Sequence, residues 1–197
     1  GIETETQLAL AGRPTAITWL ERYLRLRGIG SGKSMVTFGV TGTPQQCRSS
    51  LSQLKRLFSE LGVVNTGARL GRIWEHSRFR SPYLRHTLWA EGYAVDTLET
   101  AVNWANLPEA VDGIEKAIRE AVPGLDVHVF THMSHIYPQG ASIYTSYIFA
   151  NGQDYGQTLE YWRAMKSAAS QAVVDHGGTI SHQHGVGRDH APYLHAE

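Results

Sequence analysis

Apolar residues along the chain change period several times, and each change outlines an element. Over residues 15–27, Ile17, Leu20, Tyr23 and Leu24 recur three or four apart against polar Glu21, Arg22 and Arg25, and Gly28 and Gly30 follow. That spacing predicts an amphipathic helix, since such positions share one helical face. Residues 35–40 read as a strand. Residues 44–61 return to helical spacing through Leu51, Leu54, Leu57, Phe58 and Leu61. Thr43 is suited to cap that helix and Gly62 to end it. Residues 63–65 make a short second strand.

In the second half, residues 87–95 alternate loosely and are expected to be extended. Residues 107–121 form a helix with an apolar stripe of Ala110, Ile114, Ala117 and Ile118, and Pro108 fits its first turn. Residues 127–132 and 142–150 are rich in β-branched and aromatic residues and read as strands. Residues 155–174 form a long helix closed by Gly177 and Gly178. The order is helix, βαβ, arginine-rich segment, βαβ, strand, long helix. It predicts an α+β fold, a ferredoxin-like antiparallel sheet with helices packed on one face.

Composition narrows the function classes. With 197 residues and 42% hydrophobic content, the chain can bury a core as one domain. Eighteen basic residues balance eighteen acidic ones, so no net field recruits nucleic acid, and anion recognition must be local. Cys47 is the single cysteine, which excludes an internal disulfide and fits a reducing compartment. No apolar run reaches eighteen residues, and no signal segment opens the chain. A soluble, cytoplasmic protein is expected.

Three constellations carry chemistry. GIGSGKS at residues 28–34 lacks the first glycine of a phosphate loop and separates a helix from a strand, so it reads as a turn. Residues 69–86 hold Arg69, Arg72, Arg78, Arg80 and Arg85 among Trp74, Phe79, Tyr83 and Leu84, with Glu75 the only acid. Guanidinium forks over apolar surface suit a phosphate or carboxylate, and Arg85 is the best candidate. Third, HGGTISHQHGVGRDHAPYLH at residues 176–195 contains five of the ten histidines. There, His182 and His184 face the same way if extended, and Gly185 and Gly187 let the backbone turn tightly against a ligand or cofactor. Imidazoles so placed can exchange protons or hydrogen-bond an oxyanion, whereas a histidine-rich loop without a role is the plain alternative. His132 and His135 point to opposite faces of an extended strand, which weakens a shared metal. Tyr144 alone is a strand tyrosine with a core or edge role by default.

Four segments in order, WEHSRFRSPYLR, GYAVDTLETAVNW, QGASIYTSYIF and GGTISHQHGVGR, resemble the C-terminal cap of FAD-linked oxidases of the vanillyl-alcohol-oxidase superfamily, above all its ether-lipid-forming branch. The resemblance implies a helical lead-in over residues 1–33 and a substrate-binding cap over residues 34–197, covering a flavin held by a separate FAD-binding domain. It implies replacement of the acyl group of acyl-dihydroxyacetone phosphate by a fatty alcohol, without net redox change. Tyr144 would then take part in proton abstraction and Arg85 in placing the substrate. A three-histidine run would fall on His182, Gln183 and His184, with Gln183, Gly185 and Gly187 against the cofactor and no metal. The expected partners are the FAD-binding domain and a small-molecule substrate bearing a phosphate or carboxylate and a lipid part, with peripheral membrane contact for the full-length protein.

Two departures stand out. Gln183 cannot shuttle a proton near neutral pH, and His86 replaces an acid that follows the family arginine. Two other readings stay open: a FAD-linked 2-hydroxyacid dehydrogenase or other flavin oxidase, and a stand-alone small-ligand or interaction domain.

Overall fold

The computed structural model describes residues 14–196, in two compact units split between Ser81 and Pro82. The first unit carries α1 (Pro14–Leu26), α2 (Pro44–Glu60) and α3 (Arg69–Ser77), and a 3-10 helix (Arg78–Tyr83) follows. The start of α2 is a reciprocal cap: Thr43 Oγ1 accepts from the Gln46 backbone, and the Gln46 side chain accepts from the Thr43 N–H at 2.9 Å. The strands expected at residues 35–40 and 63–65 do not form. A strand needs a ladder partner, and the sheet among the described residues is built from three later strands, while Val36 and Phe38 stand exposed. Among the described residues, every buried side chain belongs to the second unit.

That unit runs α4 (Leu84–Ala90), β1 (Tyr93–Asn103), α5 (Leu107–Glu120), β2 (Val127–Ile136), β3 (Gly140–Ala150), α6 (Tyr155–Asp175), α7 (Gly187–His190) and a closing 3-10 turn (Ala191–Ala196). The extended segment expected at residues 87–95 is therefore displaced. The chain stays helical to Ala90 with Leu88 buried, turns at Gly92 in the left-handed region (φ 85°), and only then extends. No helix among the described residues is long and apolar enough to cross a membrane.

The three strands form one antiparallel sheet in the order β1-β3-β2. Among the described residues, the βαββα succession follows the ferredoxin-like pattern through its second helix. The outer edge of β1 is closed another way. The carbonyls of Thr97, Glu99 and Ala101 accept from Lys166 Nζ (2.8 Å), the His182 N–H (3.0 Å) and the Thr179 N–H (3.0 Å). The chain leaving α6 thus lies along an edge that would otherwise offer unpaired backbone groups.

Side chains alternate across a strand, so the sheet has two distinct faces. One carries Leu98, Thr100 and Val102 of β1, Val127 and Val129 of β2, and Ile143, Tyr147 and Phe149 of β3. Against it pack Ala110, Ile114 and Ile118 of α5 and Met165, Ala169 and Val173 of α6. Helical spacing of four residues places each of these sets on one stripe. The helices therefore occupy one face, as expected, and the other is left for chemistry.

A polar knot ties the helical face to α6. The Asp96 carboxylate accepts from Trp162 Nε1 (2.6 Å), Tyr147 Oη (3.0 Å) and Lys166 Nζ (3.0 Å). Burial works against its charge, but the Lys166 ammonium and the hydrogen bonds prevail and hold the carboxyl below its usual range. The buried Tyr147 phenol is pushed up by desolvation and by the Asp96 charge.

A carboxyl depressed by folding adds stability that is fully present above its unfolded value, about pH 4, and is lost as pH falls through the folded value. Denaturant unfolding followed downward from pH 6 should show stability falling in acid. Asp96→Asn should lower stability at pH 6 and flatten that fall. An acid limb of undiminished slope in the variant would show that Asp96 does not drive it.

Candidate active site on the open face of the sheet

Strand register builds the site. Glu99 of β1 and His132 of β2 both stand opposite Tyr144 of β3, so a carboxylate, a phenol and an imidazole form one row across the sheet. The next row pairs Ala101 with Ser142. Between Met133 and Ile136 the β2 register shifts, and this irregularity re-aims Ser134 and His135. Beyond β2, Tyr137 begins the turn into β3, its N–H donating to the Gly140 carbonyl at 2.8 Å.

Glu99 is the centre. It retains 3% exposure although it belongs to the face without helices. His182 Nδ1 lies 3.1 Å from its Oε1, His184 Nε2 lies 3.4 Å from its Oε2, and His135 Nδ1 lies 3.6 Å from Oε1. The Ser134 hydroxyl donates to the same Oε1, and Ser142 Oγ lies 2.5 Å from that of Ser134. Burial disfavours the Glu99 charge. Hydrogen bonds from Ser134, His182 and Ser142, together with the charge of His182, outweigh it and hold the carboxyl below its usual range.

The histidine loop reaches Glu99 by bending. Gln183 has φ 62°, a left-handed conformation uncommon outside glycine, so His182 and His184 do not project as on a straight strand but converge on opposite oxygens of one carboxylate. Gln183 turns its amide toward His135 Nε2, at 3.4 Å. The Gly185 carbonyl accepts from Ser181 Oγ (2.9 Å) and from His190 Nδ1 (3.1 Å), so the buried His190 braces the loop. His195, at the periphery, bonds the Pro192 carbonyl.

Tyr144, His182 and His184 are thus brought together, as expected. The Tyr144 hydroxyl donates to Thr97 Oγ1 at 3.3 Å. Its ring lies nearly parallel to His132, centroids 5.0 Å apart, and takes His184 edge-on at 5.2 Å. Arg85 is not brought to this group: it is exposed on α4 and forms no hydrogen bond or ion pair with the cluster among the described residues. The interleaving of arginines and aromatics is real elsewhere, with the Arg78 guanidinium 4.4 Å from the Phe79 centroid.

Sequence reasoning missed Glu99, Ser134, Ser142 and Tyr137. Glu99 did leave a signal, as an acid in the middle of a segment that also holds Val95, Leu98, Ala101 and Val102, where a charge must find partners or remain outside. Tyr137 left none beyond its place beside a turn.

The donors of Glu99, His135 and His182 all lie within 4.8 Å of one another. That spacing would let them share a metal ion, and the Ser134 hydroxyl is bonded among them, to Glu99 Oε1 and, at 3.2 Å, to His135 Nδ1. Gly185 and Gly187, at φ 73° and 57°, have nothing within 4 Å where a Cβ would project, leaving open backbone beside the polar row.

Comparison with known proteins follows this geometry. The family model for the C-terminal domain of FAD-linked oxidases matches residues 7–197. The alkyldihydroxyacetonephosphate synthase of Trypanosoma brucei brucei is 27% identical over 163 residues, 82% of this chain and 26% of that protein. The synthase of the same name from Dictyostelium discoideum is 29% identical over 142 residues, 70% of this chain and 23% of its own. A solved structure of an alkyldihydroxyacetonephosphate synthase superposes with a TM-score of 0.57 at 20% identity, over 69% of this chain and 24% of that one. The chain spans about a quarter of the length of the relatives it matches.

Gly178 controls how closely the loop docks. A Cβ there would sit 2.6 Å from Thr100 Oγ1 and 3.1 Å from Val102 and Val173, while Thr100 Oγ1 donates to the Thr179 carbonyl at 2.6 Å. Gly178→Ala should cost about 1–3 kcal/mol of stability by overpacking. It should also speed hydrogen exchange at the His182 amide more than at Ile114. Equal acceleration at both amides would mean that the glycine serves the core and not the loop.

Proposed function

The chain belongs to the FAD-linked oxidases as their C-terminal domain, and from that premise we propose that the open sheet face is the substrate side of a flavin active site. The observation that carries the reading is the convergence of His182 and His184 on the buried Glu99, beside the Tyr144 ring. Gln183 and the open backbone of Gly185 and Gly187 would hold the edge of the cofactor. FAD, when bound, supplies the electron-accepting ring that a side chain cannot. FAD itself would be bound mainly by the flavin-binding domain.

The residues of this chain do the rest. The Tyr144 oxygen takes the substrate proton after its own hydroxyl proton has passed through Thr97 Oγ1, to which it donates, to solvent. His182 and His184 face the reacting atoms as proton carriers and hydrogen-bond donors, and Glu99 orients both rings. The names of the relatives support a specific reaction, exchange of the acyl group of acyl-dihydroxyacetone phosphate for a fatty alcohol, on a substrate that joins a phosphate to a lipid chain.

The natural full-length gene product should purify yellow and incorporate labelled fatty alcohol into an alkyl ketone phosphate. Tyr144→Phe should lower kcat by about 10²–10⁴-fold, the usual range for losing a proton-transfer group. Dye reduction by lactate or glycolate with no alcohol incorporation would overturn the exchange reaction while keeping the flavin site. Failure to bind FAD at all would overturn both.

A further inference from the structure

Tyr137 takes no part in the reaction proposed above, yet its hydroxyl lies 2.9 Å from His182 Nε2. The opposite nitrogen of that ring, Nδ1, lies 3.1 Å from Glu99 Oε1. An ionised carboxylate can only accept, so Nδ1 carries the proton and the neutral ring presents a lone pair at Nε2 to the Tyr137 hydroxyl. Phenol, imidazole and buried carboxylate therefore stand in series from the open face inward. We propose that Tyr137, His182 and Glu99 form a proton relay, with Tyr137 exchanging the proton with a reactant on the open face and Glu99 positioning His182.

The arrangement has more order than folding demands. Tyr137 is 40% exposed, so its hydroxyl could be satisfied by water, and burial does not require an imidazole partner. Its position is nonetheless fixed: the backbone is held by the Gly140 carbonyl, and its ring runs parallel to His135 at 6.2 Å, inclined by 9°. The charged and titratable groups facing His182 are Glu99 from β1, His135 and Tyr137 from the end of β2 and its turn, and His184 from its own loop. Of these, Glu99 and Tyr137 contact its two nitrogens directly.

The step balances without an added oxidant. A reactant X–H bond breaks and leaves its electron pair on X, and the proton joins the Tyr137 oxygen. Tyr137 releases its own proton to His182 Nε2, whose lone pair forms the new N–H bond. The resulting imidazolium is held against Glu99, and reversal returns the proton to product. This inference rests on the flavin-site reading for the identity of X–H but not for the hydrogen-bond chain.

The test uses the full-length protein labelled with ¹⁵N-histidine. His182 should show the tautomer protonated at Nδ1, its resonances assigned by their loss in His182→Gln, and Tyr137→Phe should move the Nε2 resonance. In turnover, Tyr137→Phe should lower kcat at least about tenfold with KM within about twofold, the pattern of an interaction made in the transition state. Glu99→Gln should also lower kcat, because an amide can offer Nδ1 a donor as well as an acceptor and no longer fixes the tautomer. The double variant should be no slower than the slower single one.

Several results would overturn the relay. They are protonation of His182 at Nε2, an unmoved Nε2 resonance or near-wild-type kcat in Tyr137→Phe, and stoichiometric zinc or manganese in the purified protein, since a cation would occupy Nδ1. If flavin fails to bind, the site reading falls, but the tautomer and the resonance shift still decide the relay. An unchanged circular dichroism spectrum and melting profile in each variant keeps the kinetic loss separate from misfolding.

Discussion

A carboxylate with 3% exposure in the middle of a strand is the constraint on which the second unit turns. Removing a charge from water costs several kcal/mol unless donors replace the solvent. Glu99 meets that demand from three directions: Ser134 across the sheet, His182 and His184 from a loop some eighty residues away in sequence, and the polar edge that Ser142 extends. These three sources lie on different elements. β2, β3 and the loop after α6 must all be in place before the charge is satisfied, so the polar site and the fold support each other.

The same economy accounts for the irregular segment along β1. A regular strand along β1 would align its side chains by strict alternation and would carry the histidines past Glu99. An irregular segment instead takes the outward carbonyls of Glu99 and Ala101 by backbone bonds and leaves Thr97 to Lys166. It is then free to curl at Gln183 and Gly185. Lys166 serves both faces of this design. It bonds the β1 edge and also completes the Asp96 knot, so the helix against the core and the strand that carries Glu99 are held by one ammonium.

Periodicity revealed what packing controls and concealed what pairing controls. The stripes Ala110–Ile114–Ile118 and Met165–Ala169–Val173 marked α5 and α6 because their apolar faces fill the core, and Thr43 announced α2 through its cap. Residues 35–40 had the composition of a strand, but composition cannot supply the neighbour that a strand needs. At residues 87–95 the loose alternation straddled a helix end and a strand start, and Gly92 was the better marker of the boundary. His182, His184 and Tyr144 could be singled out from the sequence as candidates, whereas Glu99 could not. Its importance comes from register and burial, which bring together residues 99, 134, 142, 182 and 184, and no local pattern encodes that meeting.

The glutamine in the histidine run gains a physical account from this geometry. The φ of 62° at residue 183 throws its side chain away from Glu99, so the middle position is the one that does not converge on the carboxylate. His182 and His184 already face its two oxygens, and Ser134 takes a further lone pair. A third imidazole at that spot would meet His135 rather than Glu99. The amide donates to the His135 ring and titrates nothing, so it orders the neighbouring histidine without adding a charge to the network. The substitution that looks most damaging in a linear reading therefore falls where the folded loop has least need of a proton carrier.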